Sequence, residues 1–193
     1  MEDEPTEEVA AGGEEHRQRI EQYAGATESL KRAWEQTLAD LSAIAEEYRA
    51  DGYDVAEIPA VDAGPIGRDT NDPDGEYGVE FVIADNYVDR FTDAFEAGEF
   101  PQYDVYRAEE GEDAFVVVEL ADPDAEVVIL LAGAYPIRDE TMCAFAAREE
   151  GEMFTFVRTL DGTRHGAFRH EGYRKFFPRA DDLPEDPAEL GHF

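Results

Sequence analysis

Apolar residues recur at three- and four-residue spacing from residue 27 onward. Leu30, Trp34, Leu38, Leu41, Ala45 and Tyr48 fall on one face, and Gly52 stands where such a run should stop. This is the helical period, so the stretch predicts an amphipathic helix laying one apolar stripe on a core. A heptad seam also runs through Leu30, Trp34, Leu41, Ile44 and Tyr48, but Thr37 interrupts it and it covers too few heptads for a coiled coil. Packing on the protein's own sheet is the reading adopted.

Beyond Gly52 the period becomes two. Residues 54–61 read as a short strand and 77–84 as a second, in which Val79, Phe81 and Ile83 alternate. The intervening DAGPIGRDTNDPDGEYG is too rich in glycine, proline and aspartate to continue any element. Asp85 can cap a helix whose apolar face is Tyr87, Phe91, Ala94 and Phe95, ending at Gly98. Three strands follow, about 103–108, 114–120 and 126–132, joined by EEGED and ADPDA. Connections that short join antiparallel neighbours, because a parallel return needs a long crossover. Val116, Val118 and Leu120 alternate with Phe115 and Val117, so this part of the sheet needs cover on both faces. A further helix, about 138–149, carries Met142, Phe145 and Ala146 and stops at Gly151.

The last hairpin is MFTFVRTL, then Asp161-Gly162, then TRHGAFRH. A two-residue Asp-Gly loop predicts a type I′ turn. That register sets Arg158 opposite His165, Phe156 opposite Ala167 and Phe154 opposite Arg169. Arg158, His165 and Arg169 then share one face, with Arg164 and His170 on the other. Together these elements predict a single α+β domain over residues 26–180. Its antiparallel or mixed sheet has about six to seven strands, with helices packed mainly on one face. An acidic disordered or frayed segment, 1–25, precedes it, and an acidic tail, 181–193, follows.

Charge changes the picture of where such a domain works. The 193 residues carry 48 acidic and 16 basic side chains, a formal charge of -32. In ordinary buffer these charges repel over a Debye length of roughly 8 Å, which falls to roughly 3 Å near 1 M salt. Aromatics at 11% and runs such as FVVVEL and EVVILLAGAY exclude simple disorder. Only Lys31 and Lys175 are lysines, the other basic residues being arginines. The composition therefore indicates a halophilic protein, and it argues against nonspecific nucleic-acid binding, which needs a basic surface. Cys143 is the single cysteine, which rules out an intramolecular disulfide and a multi-cysteine zinc site. MEDEPTEEVA has no signal-peptide character, and the longest apolar stretch, 127–135, is under half a membrane span. A cytoplasmic location off the membrane is expected.

The runs LDGTRHGAFRHEGYRKFFP and FPQYDVYRAEEGEDAFVVVELADPDAEVVILLAGAY resemble a family of uncharacterised haloarchaeal proteins, a domain of unknown function, over about 26–180. The resemblance implies an archaeal origin and carries no catalytic residues over.

Short catalytic and nucleotide motifs are missing: no Walker loop, G-x-S-x-G elbow, H-E-x-x-H helix or G-x-G-x-x-G turn occurs. Cys143 reads as a small buried residue with no basic neighbour to activate it. Asp62, Asp69, Asp72, Asp74 and Glu76 crowd one loop, but their spacing is not that of a calcium loop, and no metal or cofactor is assigned. His16 and His192 fall in the tails. What stands out is positive charge. Arg158, Arg164, Arg169, Arg174, Lys175 and Arg179 crowd a segment whose only acids are Asp161 and Glu171.

Three readings follow. The basic residues pair with the chain's own carboxylates. Or Arg158, His165, Arg169, Arg174 and Lys175 form the site of a non-enzymatic binding or regulatory module that takes an anionic small molecule, an acidic protein partner or a second copy as homodimer. Or His165 or His170 serves a small hydrolase acting on phosphoesters, with arginines stabilising negative charge. A structural protein–protein interaction module is a further alternative. The binding module is the reading adopted, with no catalytic residue assigned.

Overall fold

The computed structural model describes residues 7–68, 75–186 and 189, with side chains described from residue 25 onward. Helix α1, Glu7–Ala50, begins well before the predicted start at residue 27 and takes in most of the acidic N-terminal segment. Gly52, at φ 92°, ends it as expected. There follow β1 (Asp54–Pro59), β2 (Asp62–Ile66), β3 (Gly78–Ile83) and α2 (Val88–Ala97). The chain continues through β4 (Gln102–Glu110), β5 (Asp113–Asp122), β6 (Val127–Pro136), α3 (Glu140–Glu150), β7 (Glu152–Thr159) and β8 (Arg164–Glu171).

This is a single α+β domain with mixed sheets. Among the described residues eight strands divide between two sheets of four, in the orders β1-β6-β5-β4 and β2-β3-β7-β8. β4, β5 and β6 are antiparallel neighbours, as their short connections require, while β1 pairs parallel to β6 and β3 parallel to β7. β2 corrects the expectation of an unstructured loop. It is a five-residue outer strand that, among the described residues, pairs with β3 alone, a place where Pro65 is tolerated.

Burial follows the alternation. Val116, Val118 and Leu120 of β5 enter a core shared by both sheets, α2, α3 and the segment from Tyr173 to Ala180. Val117 points the other way, to a second core with Val128 and Leu130, and there Leu41, Ala45, Trp34, Leu38, Ile44 and Tyr48 of α1 lie across the sheet. The stripe on α1 thus packs on the protein's own sheet. In α3, Phe145 and Ala146 are buried as predicted, but Met142 is 40% exposed and Cys143 takes the inward position. The C-terminal stretch is tied down by Arg148, which donates to the carbonyls of Ala180, Leu183 and Pro184 at 2.6–3.2 Å.

The β7–β8 turn departs from the two-residue loop. Gly162 N–H donates to Thr159 O at 2.9 Å and Thr159 N–H to Thr163 O at 3.0 Å, so Leu160, Asp161 and Gly162 form a three-residue loop. Gly162, at φ 87°, takes the left-handed position that such a loop needs. Pairing shifts by one, setting Arg158 opposite Arg164, and a bulge at His165 then restores the expected register of Phe156 with Ala167 and Phe154 with Arg169.

Candidate functional site

The bulge decides which side chains share a face. Arg164 joins Arg158 and Arg169 on the outer face of the β2-β3-β7-β8 sheet, beside Phe154 and Phe156. His165 leaves that face and approaches Thr159 Oγ1 at 3.2 Å through Nε2. The predicted Arg158–His165 opposition is therefore absent, because one residue is spent in the bulge.

Each arginine of the segment has a carboxylate of the same chain. Arg158 donates to Glu80 on the adjacent β3, and Arg164 forks onto Glu76, one bond being 2.9 Å, while its guanidinium lies 4.3 Å above the Phe156 ring. Glu76 beside this guanidinium is held below the usual carboxylate range. Arg169 meets Glu152, Arg174 meets Asp181 at 2.8 Å, and Arg179 meets Glu109. Neighbouring β3 comes close enough to β7 that a Cβ on Gly78 would lie 2.5 Å from Phe154 O, which explains glycine there. The carboxylates of the loop before β3 are not gathered: Asp62 opens β2, Glu76 serves Arg164, and Asp69, Asp72 and Asp74 lie outside the described residues. Among the described residues no group of three or more His, Cys, Asp or Glu could hold a metal ion.

Lys175 is different. Its Nζ donates to Tyr103 O at 2.9 Å, and its nearest ion-pair partner, Asp104, is 3.5 Å away. Among the basic residues from Arg158 to Arg179 it alone makes no hydrogen bond to a carboxylate. An ammonium carries three donors, so Lys175 has capacity left. It stands on a cleft of about 760 Å³ between β4 and β8, the outermost strands of the two sheets. Arg169, His170 and Tyr103 line the same cleft, with Phe100 and the acids Glu99, Asp104, Glu119 and Glu171. Of the five candidate residues, the cleft brings together Arg169 and Lys175. Arg158 and His165 sit toward the turn, and Arg174 is held by Asp181.

His170 forms part of the wall. It is 3% exposed, its ring lies 4.4 Å from that of Tyr103 and 5.3 Å from that of Phe176, and Nε2 is 2.9 Å from Thr155 Oγ1. Burial pushes its pKa down to about 4, so it is neutral at pH 7 and a weak base. Position in a concave wall and a hydrogen-bonding partner are what a hydrolase histidine needs, but the basicity is poorly matched. Cys143 is buried on the inward face of α3, where burial raises its pKa to about 12, so it is an unreactive thiol. The sequence predicts the strand from Tyr103, but nothing in their own segment marks Tyr103 or Phe100 as site residues. Packing of the two sheets brings Tyr103 onto His170 and Phe100 into the wall of the same cleft.

Residues 20–178 match the model of a family described as Family of unknown function (DUF7529). No curated protein and no solved structure matches the chain.

Proposed function

Because the chain belongs to the DUF7529 family, whose description assigns no activity, we propose from its geometry that it is a non-enzymatic binding module taking an anionic group into the β4–β8 cleft. The observation that carries this reading is Lys175, the one cation of the basic segment with no carboxylate hydrogen bond, on a cleft of ordinary ligand size. Arg169 lies in the same wall and can turn from Glu152 to a bound anion. Arg158 and Arg174 act as structural braces. The acidic composition and the scarcity of lysine support a halophilic, archaeal, cytoplasmic setting, and no helix among the described residues is long and apolar enough to cross a membrane.

The test is a nitrogen-15 NMR titration with inorganic phosphate and with citrate in concentrated KCl. Amides of β4 and β8 should shift, Lys175→Gln should abolish the shifts, and Arg158→Gln should leave them intact. Equal titration of wild type and Lys175→Gln, or no shift with either anion, would refute the site.

A further inference from the structure

On the opposite edge of the β1-β6-β5-β4 sheet lies a second groove, of about 570 Å³, between α1, β1 and the start of α2. Its composition differs from that of the β4–β8 cleft. Leu38 and Leu41 of α1, Val55 and Pro59 of β1, and Tyr87 before α2 give it apolar walls, and Ser42, Asn86 and Glu57 add polar groups, Glu57 Oε1 accepting from Ser42 Oγ at 2.6 Å. At the rim stand two guanidiniums, Arg49 and Arg90. Arg90 is committed, holding both oxygens of Asp54 through two nitrogens. Arg49 makes one bond, to Glu57 Oε2 at 2.9 Å, and its side chain is 47% exposed. A guanidinium has five N–H donors, so most of those of Arg49 remain for a ligand.

The strand edge adds a backbone donor. The N–H groups of Asp54 and Ala60 bond to Glu126 O and Ala132 O on the β6 side. By alternation the backbone groups of Val55 and Glu57 face outward along an edge where no further strand pairs among the described residues; the Val55 N–H is turned to the Asp54 carboxylate, so the outward donor is the N–H of Glu57.

We infer that this groove is a second binding site, for a small carboxylic acid with an aliphatic body, its carboxylate at Arg49 and its chain over Leu38, Leu41 and Val55. Apolar walls with a few convergent polar groups, here the Arg49–Glu57 pair beside Leu38, Leu41 and Val55, are the usual composition of such sites. The inference is independent of the β4–β8 cleft, which is polar and lies along a different edge.

The experiment titrates the full chain with acetate, butyrate and hexanoate in concentrated KCl, following backbone amides by NMR. Affinity should rise along the series, by up to about fourfold per methylene buried, with shifts at Val55, Glu57 and Tyr87. Arg49→Gln should weaken hexanoate about tenfold, the loss expected for one charge-assisted hydrogen bond, while Lys175→Gln should leave it unchanged. A flat series, shifts confined to β4 and β8, or full affinity in Arg49→Gln would overturn the site. The chain-length series on wild type decides the matter even if Arg49→Gln fails to fold.

Discussion

The outer face of the β1-β6-β5-β4 sheet lies under α1, whereas that of the β2-β3-β7-β8 sheet has no described helix over it and is covered by arginines. In the first, Val117, Val128, Leu130 and Ala132 meet the apolar stripe of α1. In the second, Phe154 and Phe156 sit beneath a lattice in which Arg158 holds Glu80, Arg164 holds Glu76 and Arg169 holds Glu152. Arg68 joins it, stacked 4.8 Å from the Tyr77 ring and paired with Glu150 at 2.8 Å. Burying a leucine is worth about 1.5–3 kcal/mol. An exposed ion pair or a cation–π contact is worth about 1 kcal/mol or less. The apolar cover should therefore hold at any salt concentration. The ionic cover is weaker piece by piece and responds to salt, and it consumes the positive charge that would otherwise make an anion-binding patch.

The comparison is broken most sharply at Leu130, fully buried under α1. Leu130→Ala should cost about 2–5 kcal/mol, the range for a cavity in a packed core. The cost, read from denaturant unfolding, should be the same in dilute and in concentrated KCl. A cost that shrinks in salt would mean that α1 is held mainly by charge.

A second test acts where the two sheets meet, at His170 behind Tyr103 and Phe176. Its native pKa of about 4 lies below the unfolded value of 6.5, so between these values the unfolded chain holds more protons. Its stabilising contribution is complete above 6.5 and declines as pH falls toward 4. Between pH 7 and pH 5 wild type should lose about 2 kcal/mol relative to His170→Phe, whose ring keeps the contacts with Tyr103 and Phe176 but cannot titrate. Carboxylate titration affects both proteins alike and drops out of the difference. Parallel pH profiles would show that the imidazole is solvated.

How much of this was legible beforehand follows from chain separation. The α1 stripe, the two-faced β5 and the antiparallel β4–β5–β6 run are local patterns, and each is present as predicted. β2 was illegible because Gly64 and Pro65 look like loop, and an outer strand asks little of propensity. The hairpin was placed correctly but its loop was one residue longer, and that residue exchanged His165 for Arg164 on the outer face. Partners of the arginines are farther still. Glu80 lies 78 residues from Arg158 and Glu76 88 residues from Arg164, and no periodicity links them. The β4–β8 cleft joins three separate stretches, so Lys175 and Arg169 stand out in the sequence by their charge while nothing local marks Tyr103.

The smallest expected effect distinguishes the two covers best. Arg164→Gln removes a forked pair with Glu76 and a guanidinium stacked on Phe156, at a side chain 37% exposed, and should cost about 0.5–1 kcal/mol in concentrated KCl. In dilute buffer the cost should grow. The formal charge is -32, and losing a cation adds repulsion that is felt over roughly 8 Å at physiological ionic strength but only about 3 Å near 1 M salt. Arg164→Lys separates the two parts. It keeps the charge, so its cost should not grow in dilute buffer, yet it lacks the planar fork and stacks less well, so a salt-independent loss should remain. Denaturant midpoints of the three proteins at two KCl concentrations measure both parts. If Arg164→Gln shows the same cost at both concentrations, the arginine cover works by packing, and the two sheets are protected by one principle rather than two.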